Sequence, residues 1–292
     1  MTANHEDRHK TLDLPDDIYL PFFAYGIFKP GQLAYSKIKR HVKDHFDDAE
    51  INYEMRHRDG VPILIDGKKD YHLTKGSVIT FRQGHEKNAY EIISKTLLQT
   101  LYEWKTITIN GIEVNILFGV NPKNGSDYIE DSEEQINFDG KRDPLFSDAL
   151  ELIERNLNSD KDPWNAESFF ELQMNYMLLW SAIERFSSIK YNKRVKKWNN
   201  ERFAKEKAFK DGIKEYKDKH HRPVYSTEDL KIHKFNAEDP YETLLYYYTL
   251  RCNVVHRGKA MIGDYEMLKT AAAELLEIFR EVLEDSFESD QH

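Results

Sequence analysis

The chain has 292 residues, 40% hydrophobic and 13% aromatic, enough apolar material for two folded domains with separate cores rather than a disordered polymer. Its formal net charge of −9 argues against a surface given over wholly to nucleic acid, since such affinity comes from neutralising phosphates. The single cysteine, Cys252, excludes an intrachain disulfide and a cysteine-based zinc site, in keeping with a reducing compartment.

Met1 to Leu12 is polar and charged, with no apolar stretch of secretory type, and no run approaches membrane-spanning length. The expectation is a cytoplasmic protein with a flexible N-terminus over residues 1–18. From Tyr19 to Gly125 short apolar runs alternate with turn signals. Phe22-Phe23-Ala24-Tyr25 precedes Gly26, and Val61-Pro62-Ile63-Leu64-Ile65 lies between Asp59-Gly60 and Asp66-Gly67. Ser77-Val78-Ile79-Thr80-Phe81 follows. Asn110-Gly111 separates Thr106–Ile109 from Glu113–Phe118, which predicts an antiparallel hairpin.

The opening Phe23-Ala24-Tyr25-Gly26-Ile27-Phe28-Lys29-Pro30-Gly31, with Arg58-Asp59-Gly60-Val61-Pro62 and Lys75-Gly76-Ser77-Val78, resembles the γ-glutamylcyclotransferase-like family, which includes the AIG2-like proteins. The resemblance covers residues 19–125. It implies a pocket in which the loop at Tyr25, Gly26, Ile27 and Phe28 offers backbone amides to a small ligand's carboxylate, with glycine permitting close approach. It also implies a general acid/base glutamate, and the matching position falls near Leu97. Leucine cannot exchange a proton, so the expected domain is a lapsed cyclotransferase acting as a ligand sensor or a vestigial fold. A shifted register would bring Glu91 or Glu103 to that position.

Pro122 to Pro144 is polar and acidic without periodicity, and residues 126–144 read as a linker. Helical periodicity then takes over across residues 145–288. The expected helices are Leu145–Leu157, Glu167–Phe186, one after Pro240, and a last one from Tyr265 to Phe287. Between Lys190 and Arg222 lies a locally basic stretch interleaved with Tyr191, Trp198, Phe203, Phe209 and Tyr216. It reads either as a surface that tracks a nucleic-acid backbone and stacks bases, or as a charged helix whose aromatics pack inward.

Leu250-Arg251-Cys252-Asn253-Val254-Val255-His256-Arg257-Gly258-Lys259 carries the chemistry. An imidazole that moves protons beside a permanent guanidinium is what metal-free phosphodiester cleavage needs. On one helix, positions five apart lie about 140° from each other, so Arg251 must curl to approach its own His256. The pair also reads as an ordinary solvated or structurally paired arrangement. Cys252, beside it, is either a nucleophile or a small buried hydrophobe.

That segment, the tyrosine run from Tyr246 to Tyr248 and the helix Asn175–Phe186 resemble the HEPN superfamily, over residues 145–288. Its signature is an arginine, four to six residues, then a histidine; here four intervene, Asn253 among them. The resemblance implies an all-α bundle that cleaves RNA without metal, arginine and histidine meeting at a homodimer interface. By carry-over Arg251 holds the scissile phosphate, His256 transfers protons and Asn253 donates a supporting hydrogen bond; Glu184, mid-helix in a largely apolar segment, reads either as a group that reaches across the bundle to orient one of the pair or as an ion pair with Arg185 or a lysine. Tyr247, Lys193, Arg194, Lys197, Arg257 and Lys259 become candidate contacts to RNA, tRNA among the candidates. Many relatives have lost catalysis, so a non-catalytic RNA- or protein-binding module stands as the alternative, and an active cyclotransferase as a second.

Other features are weaker. His220, His221 and His233 share a stretch with Glu228 and Asp229, but adjacent histidines diverge and no metal is expected. Neither a dinucleotide fingerprint nor a phosphate-loop lysine occurs, and no cofactor is expected. The expected fold is α+β: a small mixed β-barrel-like cyclotransferase-type domain plus an all-α helical bundle.

Overall fold

The computed structural model describes residues 12–58, 61–68, 73–97, 101–120, 126–128, 143–159, 165–191, 196–226, 230–257 and 264–288. The chain is α+β and divides into two compact units, the first running to Asp143 and the second spanning Pro144–Ser289.

In the first unit β1 (Phe22–Ala24), β2 (Val42–Ile51), β5 (Thr74–Phe81), β6 (Tyr102–Ile109) and β7 (Ile112–Gly119) form one mixed sheet. Its order is β2-β5-β1-β7-β6, antiparallel throughout except for β1 beside β7. A second, three-stranded sheet has the order β4-β3-β8, from β3 (Tyr53–Arg58), β4 (Val61–Lys68) and β8 (Ser126–Tyr128). Burial follows position. β1 is buried at every residue and β7 over its last six, whereas the edge strands β2 and β6 are largely wet.

The predicted hairpin is present, with Ile109 opposite Ile112 and the ladder running back to Tyr102 opposite Gly119. Asn110 at φ 50° and Gly111 at φ 82° supply the two left-handed residues that let a two-residue turn follow the strand twist. Above the sheet α2 (Glu86–Thr96) buries Ala89, Tyr90, Ile93 and Ser94, one helical face. Tyr90 meets Phe22 and Trp104 edge-on at 6.4 and 5.4 Å, in a core filled by aromatic rings.

Four expectations are corrected. The five-stranded sheet ends on two edges and closes no barrel among the described residues. Ser126–Tyr128, assigned to the linker, pairs with β3 as a strand, while the acidic residues 129–142 lie outside the described residues. β2 was not anticipated, because Val-Lys-Asp-His-Phe-Asp-Asp-Ala-Glu-Ile shows no alternation. It runs along an edge with two register shifts and Asp48 at φ 61°, so its side chains answer to solvent rather than to a core.

Finally, residues 12–17 are docked rather than loose. The carbonyl of Asp13 accepts from Ser94 Oγ at 3.0 Å and from Trp104 Nε1 at 2.8 Å, and Leu12 is buried. Asn115, 1% exposed, donates from Nδ2 to the Asp17 carbonyl at 2.6 Å and to the Tyr90 hydroxyl at 3.0 Å.

The second unit is a helical bundle. It contains α3 (Asp148–Leu157), α4 (Ala166–Tyr191), α5 (Lys196–Phe203), α6 (Lys207–Glu215), α7 (Pro240–Arg257) and α8 (Tyr265–Glu288). It is not purely helical, since β9 (Val224–Tyr225) and β10 (Ile232–His233) make a short antiparallel ladder. Phe279 on α8 gathers Phe146, Phe186 and Phe203 at ring separations of 6.3, 5.8 and 6.1 Å, joining four parts of the unit in one core. Among the described residues no helix is long and apolar enough to cross a membrane.

Asn115 gives this architecture a direct test. Asn115→Ala leaves a buried hydroxyl and a carbonyl without their donor, an expected loss of about 1–3 kcal/mol. Urea unfolding followed by tryptophan fluorescence reads it, and an unchanged midpoint would show that the docked segment contributes nothing.

Candidate functional site

The site is organised by α7. Asp239 caps its start, its carboxylate accepting from the N–H groups of Tyr241 and Glu242 at 3.1 Å each, and Pro240 takes the first helical position, where no donor is needed. Thr243, Leu244, Tyr246, Tyr247, Thr249 and Leu250 are buried. From Arg251 onward the described residues are partly or fully exposed, so the motif sits where the helix emerges from the core.

Arg251 leans toward α4. Its Nη2 lies 3.4 Å from Glu184 Oε1, a long and weak contact, and its guanidinium lies 5.7 Å from the Tyr248 ring centroid. Tyr248 in turn meets Trp180 edge-on at 5.3 Å. Burial pushes the Tyr248 hydroxyl up to about 12, with Cys252 adding to the rise and Arg251 opposing it. The Arg251 side chain is 13% exposed, and its buried Nε has no hydrogen-bond partner among the described residues. A guanidinium so held keeps donors in reserve.

The other candidates separate. Asn253 donates to the Tyr225 carbonyl at 2.9 Å, and being two residues from Arg251 on the helix it faces about 160° away. That donor serves the β9–β10 ladder, not Arg251. Tyr247 is fully buried and gives its hydroxyl to Glu274 at 2.9 Å, so it is a core residue and not a substrate contact. The His256 and Arg257 side chains, Lys193, Arg194, the Lys197 side chain and Lys259 lie outside the described residues.

In the basic stretch Tyr191, Phe203, Phe209 and Tyr216 are buried, which removes them as stacking platforms. Two short helices stand in place of one long charged helix, with Lys207, Lys210 and Lys214 of the second exposed.

Sequence reasoning missed the buried network beneath α7. Glu274, 1% exposed, accepts from His221 Nε2 and the Tyr247 hydroxyl, each at 2.9 Å, with Lys219 Nζ at 3.6 Å. The His221 ring stacks on Phe235 at 3.9 Å. The adjacent histidines were legible but their acceptor, 53 residues on, was not. His233 meets Glu242 instead, and no cluster of three metal-ligating side chains occurs among the described residues.

In the first unit the loop at Tyr25 is tucked inward. The Tyr25 hydroxyl donates to the Leu117 carbonyl at 2.9 Å, and burial holds it well above the usual phenol range. Gly26, at φ +56°, passes so close to Pro62 that a Cβ would lie 2.1 Å from its Cγ. Ile27, Phe28 and Leu97 are buried as well. A cavity of about 390 Å³ lies elsewhere, between the docked residues 12–16 and β6, and is not lined by Tyr25, Gly26, Ile27, Phe28 or Leu97. The two carboxylates that a shifted register would recruit are surface ion pairs. Glu91 holds Lys95 at 2.9 Å, which keeps its carboxyl below the usual range, and Glu103 holds Lys105 at 3.1 Å.

Glu274→Leu strips a buried imidazole and a buried hydroxyl of their acceptor, with an expected loss of about 3–5 kcal/mol. Tyr247→Phe removes one donor and should cost about 1 kcal/mol. Chemical denaturation of both variants checks the order, and equal midpoints would place Glu274 outside the bundle's support. Compared with known proteins, the chain matches no family model, no curated protein and no solved structure.

Proposed function

We propose that the helical unit is a metal-independent endoribonuclease of a toxin or antiviral-defence type, working as a homodimer. The observation that carries this reading is Arg251: a guanidinium at the emerging end of α7, held over the Tyr248 ring and by a long contact from its Nη2 to Glu184. Such a group can grip a phosphate without first breaking a strong ion pair.

In the reaction Arg251 stabilises the charge that builds on the phosphate oxygens. His256 takes the proton from the ribose 2′-hydroxyl as it attacks phosphorus, a water molecule protonates the 5′-oxygen as its bond to phosphorus breaks, and the hydroxide left is neutralised by the proton held on His256. The products are a 2′,3′-cyclic phosphate and a free 5′-hydroxyl. Arg251 and His256 diverge by about 140° on their common helix, so a second copy is the simple way to bring one of each to a phosphate. Glu184 keeps the guanidinium oriented until RNA arrives. The first unit, without a carboxylate at Leu97, is then a sensor or regulator that takes a small ligand.

The Glu184 contact also favours a second reading, a non-catalytic module that binds RNA or protein, with Arg251 paired structurally and the Asn253 donor committed to Tyr225.

Purified full-length chain incubated with total RNA and tRNA in EDTA tests the proposal. Cleavage leaving cyclic phosphate ends is expected, with His256→Ala slower by roughly 10²–10⁴-fold and Arg251→Ala by roughly 10²–10³-fold. RNA binding by the wild type without cleavage would transfer the assignment to the binding module. Release of 5-oxoproline from γ-glutamyl compounds would restore a cyclotransferase.

A further inference from the structure

A cluster of bases at one end of the first unit is unrelated to the RNase reading. The 3₁₀ turn Lys39–His41 delivers Arg40 and His41, and the residues after β5 deliver Arg82 and His85. The backbone joins them: the Arg82 N–H donates to the His41 carbonyl at 2.9 Å and the His85 N–H to the Arg82 carbonyl at 2.8 Å.

Arg40 Nε donates to His41 Nε2 at 2.9 Å, and His41 Nδ1 lies 3.1 Å from His85 Nδ1. These contacts define the tautomers. Nε2 of His41 is an acceptor, so a neutral His41 carries its proton on Nδ1 and donates it to His85, whose own proton sits on Nε2. Burial first, then Arg40, His85 and Arg82, pushes the His41 pKa below its ordinary value, and those charged neighbours are all bases.

Like charges packed together around a 5%-exposed imidazole are unfavourable without a counter-ion. Neither arginine meets a carboxylate among the described residues. Arg40 Nε binds the imidazole and Arg82 Nε binds the Val42 carbonyl at 3.0 Å, and among the described residues the terminal N–H groups of these two exposed arginines meet no acceptor. The surrounding elements supply little negative charge. Lys37 on the short helix α1 (Tyr35–Ile38) reaches Thr96, Lys39 and Lys43 flank the turn, and the Asp44 carboxylate accepts from the His45 N–H. Glu86 and Lys87 open α2, which starts at this point without a side-chain cap. Its first-turn N–H groups add to the positive field.

We propose that Arg40, Arg82, His41 and His85 form a binding site for a tetrahedral oxyanion of the phosphate class, free or carried on a small phosphorylated ligand. The exposed guanidiniums of Arg40 and Arg82 and the His85 Nε2–H supply the grip, and His41, with both ring nitrogens engaged, holds Arg40 and His85 in place. In the empty site His41 is held neutral, so its stabilising contribution is present above the unfolded histidine value of about 6.5 and is lost as pH falls. A second proton on His41 would set an Nε2–H against the Arg40 Nε–H donor, so the oxyanion binds beside a neutral His41.

The test uses the full chain and inorganic sulfate, whose charge does not change across the range, at constant ionic strength with chloride. Imidazole NMR signals of His41 and His85 should shift on titration between about pH 6.5 and 7.5, where the neutral pair keeps its contacts. Arg40→Gln and Arg82→Gln should each weaken binding by about tenfold or more. Parallel titrations with inorganic phosphate and glycerol phosphate separate the two sources, the tighter of them naming the natural form. Unmoved imidazole signals at tens of millimolar sulfate, or binding that both substitutions leave intact, would overturn the site.

Discussion

The helical unit depends on one buried carboxylate. Glu274 on α8 accepts from Tyr247 on α7 and His221 on the segment before β9, so three stretches remote in sequence meet at one side chain. A buried carboxylate is tolerated only where donors replace water, and the stack of His221 on Phe235 closes the remaining side. With Tyr247 locked inward, the rotation of α7 is set. Arg251, one turn later, then leans toward α4 and Glu184, while Asn253 faces the β9–β10 ladder.

Whatever that rotation, positions five apart on a helix diverge by about 140°, so Arg251 and position 256 do not share a face. The arginine lies over the tyrosine face of α7, and the position of His256 lies well round the cylinder. A guanidinium with one long ion-pair contact at the end of a helix anchored in the core fits the composite centre proposed above. The same geometry serves a binding module, and only chemistry on RNA distinguishes them.

The first unit is organised by another buried polar group. Asn115 lies at the centre of the sheet and ties β7 to the Tyr90 hydroxyl and to the docked segment at Asp17. Its position also keeps Trp104 and Tyr90 together in an aromatic core. The inward tuck of Tyr25, Ile27 and Phe28 reflects the same economy of space, since only a glycine passes Pro62 at position 26.

The sequence by itself determined what neighbouring residues decide. Asn110-Gly111 imposed its hairpin because both residues accept left-handed φ, and Asp239-Pro240 imposed a helix start because one caps and the other needs no partner. The apolar periodicity of α4 and α8 likewise marked the bundle. Tertiary structure alone decided the rest. β2 became a strand because β5 offered it an edge, not because its charged residues prefer extension. The docked N-terminal segment, the inward turn of Tyr191, Phe203, Phe209 and Tyr216, the Glu274 network and the Arg251–Glu184 contact each join residues far apart in the chain. Local preference is set by each residue's own backbone and immediate neighbours, whereas burial and pairing depend on which distant side chain arrives in the same space.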